Sequence, residues 1–456
     1  MTRLAIDFGT SNTVAVLRRP DGTTSALLFD GSPLLPSAIC ATEQGIVTGR
    51  DAMHLALHKP ASFEANPKRR LADGGVWLGQ RNYEVVELVG AVLARVRDEA
   101  VRVAGGAPTD LVMTHPADWS QIRCTTLAEA AAHAGLPTPR LIPEPVAAAI
   151  RLHESGGPAP PGPVVIYDFG AGTFDVSVVD RDQAGDLRVR FSECLSDVGG
   201  LDIDDVVVAH LGRIVAGRSP EIWHRLRYPD VDSEGDRRAR WQLADNVRQA
   251  KEQLSRRSST YVHIPLLESS VTLVLDEFNQ LARPLVDRTV QLTREALRRT
   301  GLAGQPVRIC LVGGSSRLPL AATRLHQELG IAPWVGEQPE LIVAEGAARA
   351  PAARPVEVPD RQPHRPEQDG RQFAHPTDKT PRPAGQVDLA TRLRREAVDP
   401  AGLVLALVFG AVAGWLAVAG SGGTGVAALA GLATFGFVYT VRTLIGAAAK
   451  RKVAQP

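Results

Sequence analysis

Residues 164–179 read VVIYDFGAGTFDVSVV, and residues 4–17 repeat their plan as LAIDFGTSNTVAVL. Each stretch has a short apolar run, an aspartate, a glycine-containing turn rich in hydroxyl groups, and a second run rich in β-branched residues. Short apolar runs on either side of a turn predict a β-hairpin. The repeat therefore predicts two similar hairpins, one in each of two lobes.

The turns explain why an aspartate precedes the glycine in both copies. Glycine accepts backbone dihedrals that let several N–H groups point into one concavity, and such a nest binds phosphate. Asp7 and Asp168, each at the end of a predicted strand, are then placed to hold the water ligands of Mg²⁺. Two facing hairpins would hold one nucleotide from opposite lobes. The alternative is two ordinary hairpins whose Asp and Thr side chains cap tight turns.

Two further stretches accompany the hairpins in the same order along the chain: LIPEPVAAAI at residues 141–150 and ICLVGGSSRLP at residues 309–319. Together the four stretches resemble the nucleotide-binding domain of the seventy-kilodalton heat-shock chaperones, the DnaK-type family of the actin-like ATPase superfamily. The resemblance implies a two-lobed α/β fold, with duplicated ribonuclease-H-like lobes that close on Mg-ATP. It implies ATP or ADP and Mg²⁺ as cofactors, and leaves open an additional K⁺.

The resemblance also assigns five residues to the chemistry. Asp7 and Asp168 hold Mg²⁺ through water, and Lys68 contacts the transferred phosphoryl group. Glu144 positions the attacking water or takes its proton, and Thr173 completes the catalytic set. From the residues alone, the alternative for Lys68 is a solvated basic run, and the alternative for Glu144 is a carboxylate stabilised by a helix dipole.

The remaining nucleotide-binding residues lie in the two turns, in a Gly-Gly segment, on a charged helix and in the GGSSR loop. The predicted set is Gly9, Thr10, Ser11, Asn12, Gly170, Ala171, Gly172, Gly199, Gly200, Lys251, Ser255, Gly313, Gly314, Ser315 and Arg317.

The chain departs from the family pattern on its adenosine side. Glu252 stands where the family usually has an arginine against the adenine, and Arg248 replaces an acidic residue. A carboxylate cannot stack on a base as a guanidinium does, so base affinity and selectivity stay open. Arg317 remains a candidate stacking partner. Ala171 replaces the middle glycine of the second turn.

The chain of 456 residues is long enough for two or three domains. A formal charge of +1 argues against nucleic acid as a main partner. The four cysteines, Cys40, Cys124, Cys194 and Cys310, are scattered singly and predict small buried side chains in a reducing compartment. No signal sequence precedes the first predicted strand, so we expect the N-terminal domain to stay in the cytoplasm.

The composition changes beyond the nucleotide-binding domain, which we place at residues 1–350. Residues 351–400 are rich in proline and charge and predict a disordered linker. Residues 401–449 contain two long apolar runs around GSGGTG, which predict a transmembrane helical hairpin. The alternative is a buried helical pair in a soluble domain. We do not expect the family's peptide-binding β-sandwich or helical lid.

Basic residues flank the predicted hairpin on both sides, including a basic tail at residues 450–456. The positive-inside rule then places both termini in the cytoplasm, and the protein in the cell membrane as a multi-pass protein. The lipid bilayer is accordingly one of its predicted partners.

These observations support two functions of different classes. The first is a membrane-anchored, chaperone-like protein that slowly hydrolyses ATP and uses lobe closure as a conformational switch. Its partners would be unidentified clients or membrane proteins, and the need for a nucleotide-exchange factor stays open. The second is a nucleotide-binding membrane scaffold, or an actin-like assembly module, with negligible turnover. A sugar kinase ranks third, because no sugar site is recognisable.

Overall fold

The computed structural model describes residues 2–154, 162–230 and 233–351. Apart from Pro351, the predicted linker, the two predicted membrane helices and the basic tail lie outside these residues. Within the described ranges, no helix combines the length and the hydropathy that crossing a bilayer requires. The membrane hairpin therefore stays a prediction.

The first lobe is built from eleven strands and four helices of the described chain. They are β1 (Arg3–Phe8), β2 (Asn12–Arg18), β3 (Thr24–Ala26), β4 (Leu35–Pro36), β5 (Ile39–Thr42), β6 (Gly45–Thr48), α1 (Gly49–Leu55), β7 (Phe63–Glu64), β8 (Val76–Leu78), β9 (Arg81–Tyr83), α2 (Val85–Ala104), β10 (Asp110–His115), α3 (Gln121–His133), β11 (Arg140–Pro143) and α4 (Glu144–Glu154). Short 3-10 helices occupy Pro60–Ser62 and Pro67–Arg70.

The second lobe repeats a strand-rich core and adds longer helices. Its elements are β12 (Val164–Phe169), β13 (Phe174–Arg181), β14 (Leu187–Leu195), α5 (Gly200–Ala216), α6 (Pro220–Arg227), α7 (Glu234–Leu254), β15 (Ser259–Ile264), β16 (Ser269–Val274), α8 (Leu275–Arg299), β17 (Arg308–Val312), α9 (Pro319–Leu329), β18 (Trp334–Val335) and α10 (Ile342–Arg349). A 3-10 helix, Gly314–Arg317, follows β17.

The central sheets of the two lobes share one topology. The first runs in the order β11-β10-β1-β2-β3, with β4 also paired to β2, and the second in the order β14-β13-β12-β17-β18. In each, an antiparallel hairpin, β1–β2 or β12–β13, lies beside a parallel strand, β10 or β17. Both predicted hairpins are thereby confirmed, and each lies in a mixed sheet.

The helices follow the apolar spacing of the sequence. The amphipathic helix α2 buries its apolar face and ends at Gly105 in the left-handed conformation. The predicted charged helix is α7, and it begins at Glu234, where the Ser233 hydroxyl caps it by accepting a hydrogen bond from the Asp236 amide.

Among the residues that the structure describes, three hydrophobic clusters stabilise the two lobes. One packs α2 and α3 on the outer face of the first sheet, and another packs α5, α7, α8 and α9 on the second. The third lies between the sheets, where the alanines of α4 and α10 contact residues of β1, β2, β12 and β17. Small side chains let these two helices pass close to each other and to both sheets.

Candidate functional site

Two aspartates occupy equivalent places near the ends of the central strands β1 and β12. Asp7 pairs across its hairpin with Val14, and Asp168 pairs with Asp175 in the second hairpin. The Thr114 hydroxyl, on the neighbouring strand β10, donates a hydrogen bond of 2.9 Å to Asp7 Oδ1. The fold thus places both predicted aspartates at the same edge of the two sheets.

The electrostatics of this edge disfavour full ionisation of the aspartates. Burial, and then the Glu144 carboxylate, raise the pKa of Asp7 to about 6. Burial also raises the pKa of Asp168 well above its ordinary value, helped by Glu144, Asp175 and Asp7. A set of carboxylate oxygens that repel one another suits a hard divalent cation, which would relieve the repulsion. The donor set therefore fits hydrated Mg²⁺.

Lys68 and Glu144 meet beside the aspartates and form an ion pair of 3.0 Å. Lys68 comes from the 3-10 helix at Pro67–Arg70, and Glu144 is the first residue of α4. Their side chains are 12% and 11% exposed, which rules out the solvated basic run for Lys68. Although burial alone would lower the pKa of Lys68, the carboxylates of Glu144, Asp7 and Asp168 raise it.

The first turn is fastened by its own backbone and by Ser37. A Cβ at Gly9 would overlap the carbonyl oxygen of Asn12, so the turn requires glycine there. The Ser37 hydroxyl donates to the Gly9 carbonyl at 2.9 Å, and the Ser37 amide donates to the Ser11 carbonyl at 2.9 Å. The predicted residues of this turn therefore lie in one fixed loop.

The second turn closes on itself and touches the first. The Gly170 amide donates to the Thr173 carbonyl at 3.1 Å, and the Thr173 hydroxyl donates to Asp175 Oδ2 at 2.8 Å. A Cβ at Gly172 would lie 3.2 Å from the Thr10 methyl group, so the turns of the two lobes face each other in contact. This is the arrangement that two-sided phosphate binding requires.

The Gly-Gly segment packs directly under the second turn. The Gly200 and Leu201 amides donate to the carbonyls of Gly170 and Ala171 at 3.0 and 2.8 Å. A Cβ at Gly199 would lie 2.5 Å from the Ala171 carbonyl oxygen. The segment therefore lies against the second turn, and its predicted contact with phosphate stays a prediction.

Lys251 and Ser315 tie this segment to the rest of the second lobe. Lys251 Nζ donates to the Gly200 carbonyl at 2.6 Å and pairs with Asp204 at 2.9 Å. The Ser315 hydroxyl donates to the Gly170 carbonyl at 2.8 Å. Both predicted nucleotide contacts thus also hold the loops in place.

The GGSSR loop approaches the second aspartate from the other side. Gly313 has a φ of +83°, and a Cβ there would lie 2.6 Å from Asp168 Oδ1. Gly314 is different, since a Cβ there would meet nothing within 4 Å. Arg317 pairs with Glu340 at 2.5 Å and is 47% exposed.

The end of α7 carries the residues where the sequence departs from the family. Arg248 pairs with Asp245 at 2.7 Å and with Glu252 at 2.9 Å. Ser255, the C-terminal cap of α7, donates through its hydroxyl to the Lys251 carbonyl at 3.4 Å. Ser255 is therefore brought near the other predicted residues, with its hydroxyl engaged by its own helix.

Sequence reasoning missed several members of the site. Oxygen and sulfur atoms of Asp118, Asp175 and Cys194 all lie within 4.8 Å of one another. Burial raises the pKa of Asp175 to about 6, and burial and Asp175 raise that of the Cys194 thiol. The prediction of buried cysteines is confirmed for Cys40, Cys124 and Cys310. It is wrong for Cys194, whose side chain is half-buried.

Trp119 was also missed. Lys68 Nζ lies 5.2 Å from the centre of its ring, and the ring stacks on His115 with centroids 6.5 Å apart. A cation over an indole face is attracted by the ring quadrupole. The signal in the sequence was only a tryptophan shortly after a core strand. Of the residues that the sequence analysis missed, only Asp175 had a clear signal in the sequence, because it follows the same turn that Asp168 precedes.

The duplicated lobes, with facing turns and paired aspartates at one edge, define a nucleotide-binding domain of the actin-like ATPase superfamily. A family model described as Hsp70 protein matches residues 68–355, which is more than half of the chain. The chain belongs to the Hsp70 family. Membership implies ATPase activity with ATP or ADP and Mg²⁺, and supports a chaperone-like ATP-binding protein.

Proposed function

We propose that this protein is a membrane-anchored, chaperone-like ATPase that turns over slowly and uses lobe closure as a conformational switch. The observation that carries the proposal is the cluster of Asp7, Glu144 and Asp168 around the Lys68 ammonium, at the place where the two phosphate turns meet. Buried carboxylates with strongly raised pKa values are typical of sites that bind a cation and act on a phosphate.

The residues of the site have separate roles in the proposed hydrolysis of ATP. Backbone amides of the two turns hold the phosphates, and the Gly199–Gly200 segment supports the second turn through the hydrogen bond from the Gly200 amide to the Gly170 carbonyl. When bound, Mg²⁺ would supply positive charge to the phosphate oxygens, with Asp7 and Asp168 holding its water ligands. Lys68 stabilises the negative charge that develops on the transferred phosphoryl group. Glu144 orients the attacking water and accepts its proton.

The position of Glu144 at the start of α4 supports the proposed conformational switch. Glu144 is the first residue of α4, and α4 packs along α10, the last described helix before the predicted linker. A displacement of Glu144 when the cleft closes would therefore move a helix that crosses both lobes. Partner proteins would respond to the position of α10 or of the linker. They would be unidentified clients or membrane proteins, and the need for a nucleotide-exchange factor stays open.

A second candidate is a membrane scaffold or actin-like assembly module that binds nucleotide with negligible turnover. The observation in its favour is the ion pair between Lys68 and Glu144, which occupies both catalytic candidates with each other. Ala171 adds to it, because it stands where the family has the middle glycine of the second turn. Turnover decides between the two candidates.

Nucleotide binding and single-turnover hydrolysis by the full-length protein in detergent test the proposal. Mg-ATP binding and a slow burst of hydrolysis are expected, with hydrolysis reduced about 100-fold or more in Asp168→Asn while binding falls much less. Asp98→Asn, on the exposed side of α2, is the matched control. Tight binding without turnover would favour the scaffold, and equal turnover in Asp168→Asn and wild type would remove Asp168 from the mechanism.

The membrane anchor is tested separately. The proposed cell-membrane location rests on the two apolar runs within residues 401–449, and both termini are proposed to be cytoplasmic from the flanking arginines and lysines. Arginine at the centre of a membrane helix costs about 2.5–3.5 kcal/mol on insertion scales. Leu405→Arg combined with Val408→Arg should therefore release the protein from alkaline-washed membranes, whereas Leu405→Val should not. Release of the unmodified protein by the same wash would refute the anchor.

A further inference from the structure

Five strands of the two central sheets begin or end at an arginine. In the first lobe, β1 begins at Arg3, β11 begins at Arg140 and β2 ends at Arg18. In the second lobe, β17 begins at Arg308 and β13 ends at Arg181. Because β2 and β13 run antiparallel to the other three strands, all five arginines lie at the sheet edges opposite the paired aspartates. We call these five residues the arginine edge.

The duplicated hairpins explain why both lobes share this edge. The strand β2 has 7 residues and β13 has 8, and each runs from a phosphate turn to its arginine. Arg18 and Arg181 therefore lie roughly 20 Å beyond the turns, at equivalent places in the two hairpins. At that distance the arginine edge cannot contact the phosphates of a nucleotide held by the turns.

Four of the five arginines have no ion-pair partner among the residues that the structure describes. Arg3 pairs with Asp110 at 2.6 Å. Arg18 lies directly opposite Arg3 in the first hairpin and has no carboxylate partner in the described chain, and the same holds for Arg140 and Arg308. Like charges opposite each other destabilise a hairpin, so an anionic partner would stabilise this edge.

Arg181 offers the most accessible charge of the arginine edge. Its side chain is exposed and donates to the Gly185 carbonyl at 2.8 Å, while the other four are half-buried. Carboxylates that lie near it are already engaged by other arginines: Asp180 by Arg190 at 3.7 Å and Asp182 by Arg188 at 3.2 Å.

The described chain ends beside the same edge. The Arg3 guanidinium donates to the Ala348 carbonyl at 3.3 Å and to the Ala350 carbonyl. The residues that follow contain the predicted linker and the two apolar runs at residues 401–449. A bilayer that holds those runs would therefore lie within reach of the arginine edge. The cytoplasmic leaflet of a membrane carries negative surface charge, which attracts basic surfaces.

We propose that the arginine edge binds the anionic headgroups of the membrane in which the protein is anchored, so that the nucleotide cleft faces away from the bilayer. The inference rests on the proposed membrane anchor and assigns a lipid-binding surface to the ATPase domain. A guanidinium binds a phosphate through two parallel hydrogen bonds, which makes arginine well suited to phospholipid headgroups.

Vesicle binding by the full-length chain tests the proposal once the anchor is disabled by Leu405→Arg and Val408→Arg. This protein should co-sediment with vesicles of phosphatidylcholine and phosphatidylglycerol, but not with vesicles of phosphatidylcholine alone. Its binding should weaken as the salt concentration rises, because the attraction between exposed charges is screened.

Two pairs of added substitutions separate the arginine edge from the other cations of the chain. Arg18→Gln with Arg181→Gln should weaken binding to the anionic vesicles about 30-fold, because each arginine near an anionic surface contributes about a factor of five. The matched control is Arg256→Gln with Arg257→Gln, which removes two exposed arginines that follow α7. The control pair should change binding by less than about twofold.

Amide hydrogen exchange of the unmodified protein in nanodiscs gives a second readout that needs no substitution. The turn between β13 and β14, residues 182–186, should exchange more slowly in discs with phosphatidylglycerol than in discs of phosphatidylcholine alone. Exchange at residues 256–258 should be the same in both. Equal exchange of the turn in the two kinds of disc would contradict the proposal.

The outcomes separate the arginine edge from the anchor. Failure to bind anionic vesicles, equal binding to both kinds of vesicle, or equal losses in the two pairs of variants overturns the inference and leaves the anchor standing. Displacement from the vesicles by polyglutamate at equal charge also overturns it, because the edge would then fit an acidic protein. Release of the unmodified protein by alkaline washing refutes the anchor, and the vesicle assay on that protein then decides the edge alone.

Discussion

Gly346 of α10 lies directly against the main-chain carbonyl of Ala147 in α4, and a Cβ at position 346 would overlap that oxygen. The two helices sit between the sheets of the two lobes, and an ion pair of 2.5 Å between Arg151 and Glu345 joins them again one helical turn further along α4. The contact at Gly346 sets how closely α4, which begins at Glu144, approaches the last described helix.

We predict that Gly346→Ala destabilises the protein. Alanine in a helix interior gains about 1 kcal/mol in propensity over glycine, but overpacking of a buried contact costs about 1–3 kcal/mol, and main-chain overlap belongs at the upper end. The free energy of unfolding in urea should fall by about 1–2 kcal/mol. Gly217→Ala is the control, because a Cβ there meets no atom closer than 3.8 Å. Unchanged stability of Gly346→Ala would show that the helices separate freely.

The repeated hairpins explain why so much of the fold could be predicted from the sequence. Short apolar runs on either side of the Asp7 and Asp168 turns indicate local structure, and the strands β10 and β17 contain short apolar runs typical of a buried position. These signals depend on neighbours in sequence, which is why they could be read directly.

The contacts within the site that the sequence did not predict join residues that are distant along the chain. Lys68 and Glu144 are 76 positions apart, and no local pattern states that they form an ion pair with each other. Cys194 reaches Asp175 only because β14 pairs with β13, in a register that includes an irregularity between Val178 and Val179. Sequence reasoning identified which residue types carry the chemistry, while their pairing had to come from the fold.

Asp175 should make the stability of the nucleotide-free protein depend on pH. Burial, and then Glu144 and Asp118, raise its pKa from 3.8 to about 6, against the hydrogen bond from Thr173. A raised pKa in the folded state contributes stability that is fully present below pH 3.8 and is lost as the pH rises through about 6.

The expected loss from Asp175 between pH 4 and pH 7.5 is up to about 3 kcal/mol, and Asp175→Asn should remove it. Urea unfolding of both proteins at several pH values measures the difference. Asp182→Asn provides the contrast, because hydrogen bonds from the Asp186 amide lower the pKa of Asp182, and its contribution is lost as the pH falls. Parallel pH profiles for wild type and Asp175→Asn would contradict the assignment.

Gly313 and Gly314 are neighbours with opposite tolerance for a side chain. Gly313 has a φ of +83°, and a Cβ added there would lie only 2.6 Å from Asp168 Oδ1, whereas Gly314 faces open space. Gly313→Ala should therefore cost about 1–3 kcal/mol in unfolding free energy and displace Asp168, so that Mg-dependent nucleotide binding weakens as well. Gly314→Ala should change the unfolding free energy by less than about 0.5 kcal/mol. Equal stabilities of the two variants would contradict the geometry.

Lys68→Met should be the most disruptive single change at the site. It removes the cation that lowers the pKa of Asp7 and leaves Glu144 without its ion-pair partner among other carboxylates. Removing one member of a buried ion pair costs about 3–5 kcal/mol, because the remaining charge is left uncompensated. We expect a loss of about 3 kcal/mol at pH 7.5 and a smaller loss at pH 5, where a protonated Asp7 relieves the repulsion.

A double-mutant cycle separates this electrostatic loss from the loss of packing. Glu144→Gln in the Lys68→Met background removes the stranded charge, so it should recover a large part of the stability while single-turnover hydrolysis stays absent. Arg69→Met, an exposed neighbour on the same 3-10 helix, should leave stability unchanged within about 0.5 kcal/mol. Full stability of Lys68→Met at pH 7.5, or additive effects of the two substitutions, would mean that Lys68 and Glu144 are not coupled, and that the carboxylates are neutralised by another route.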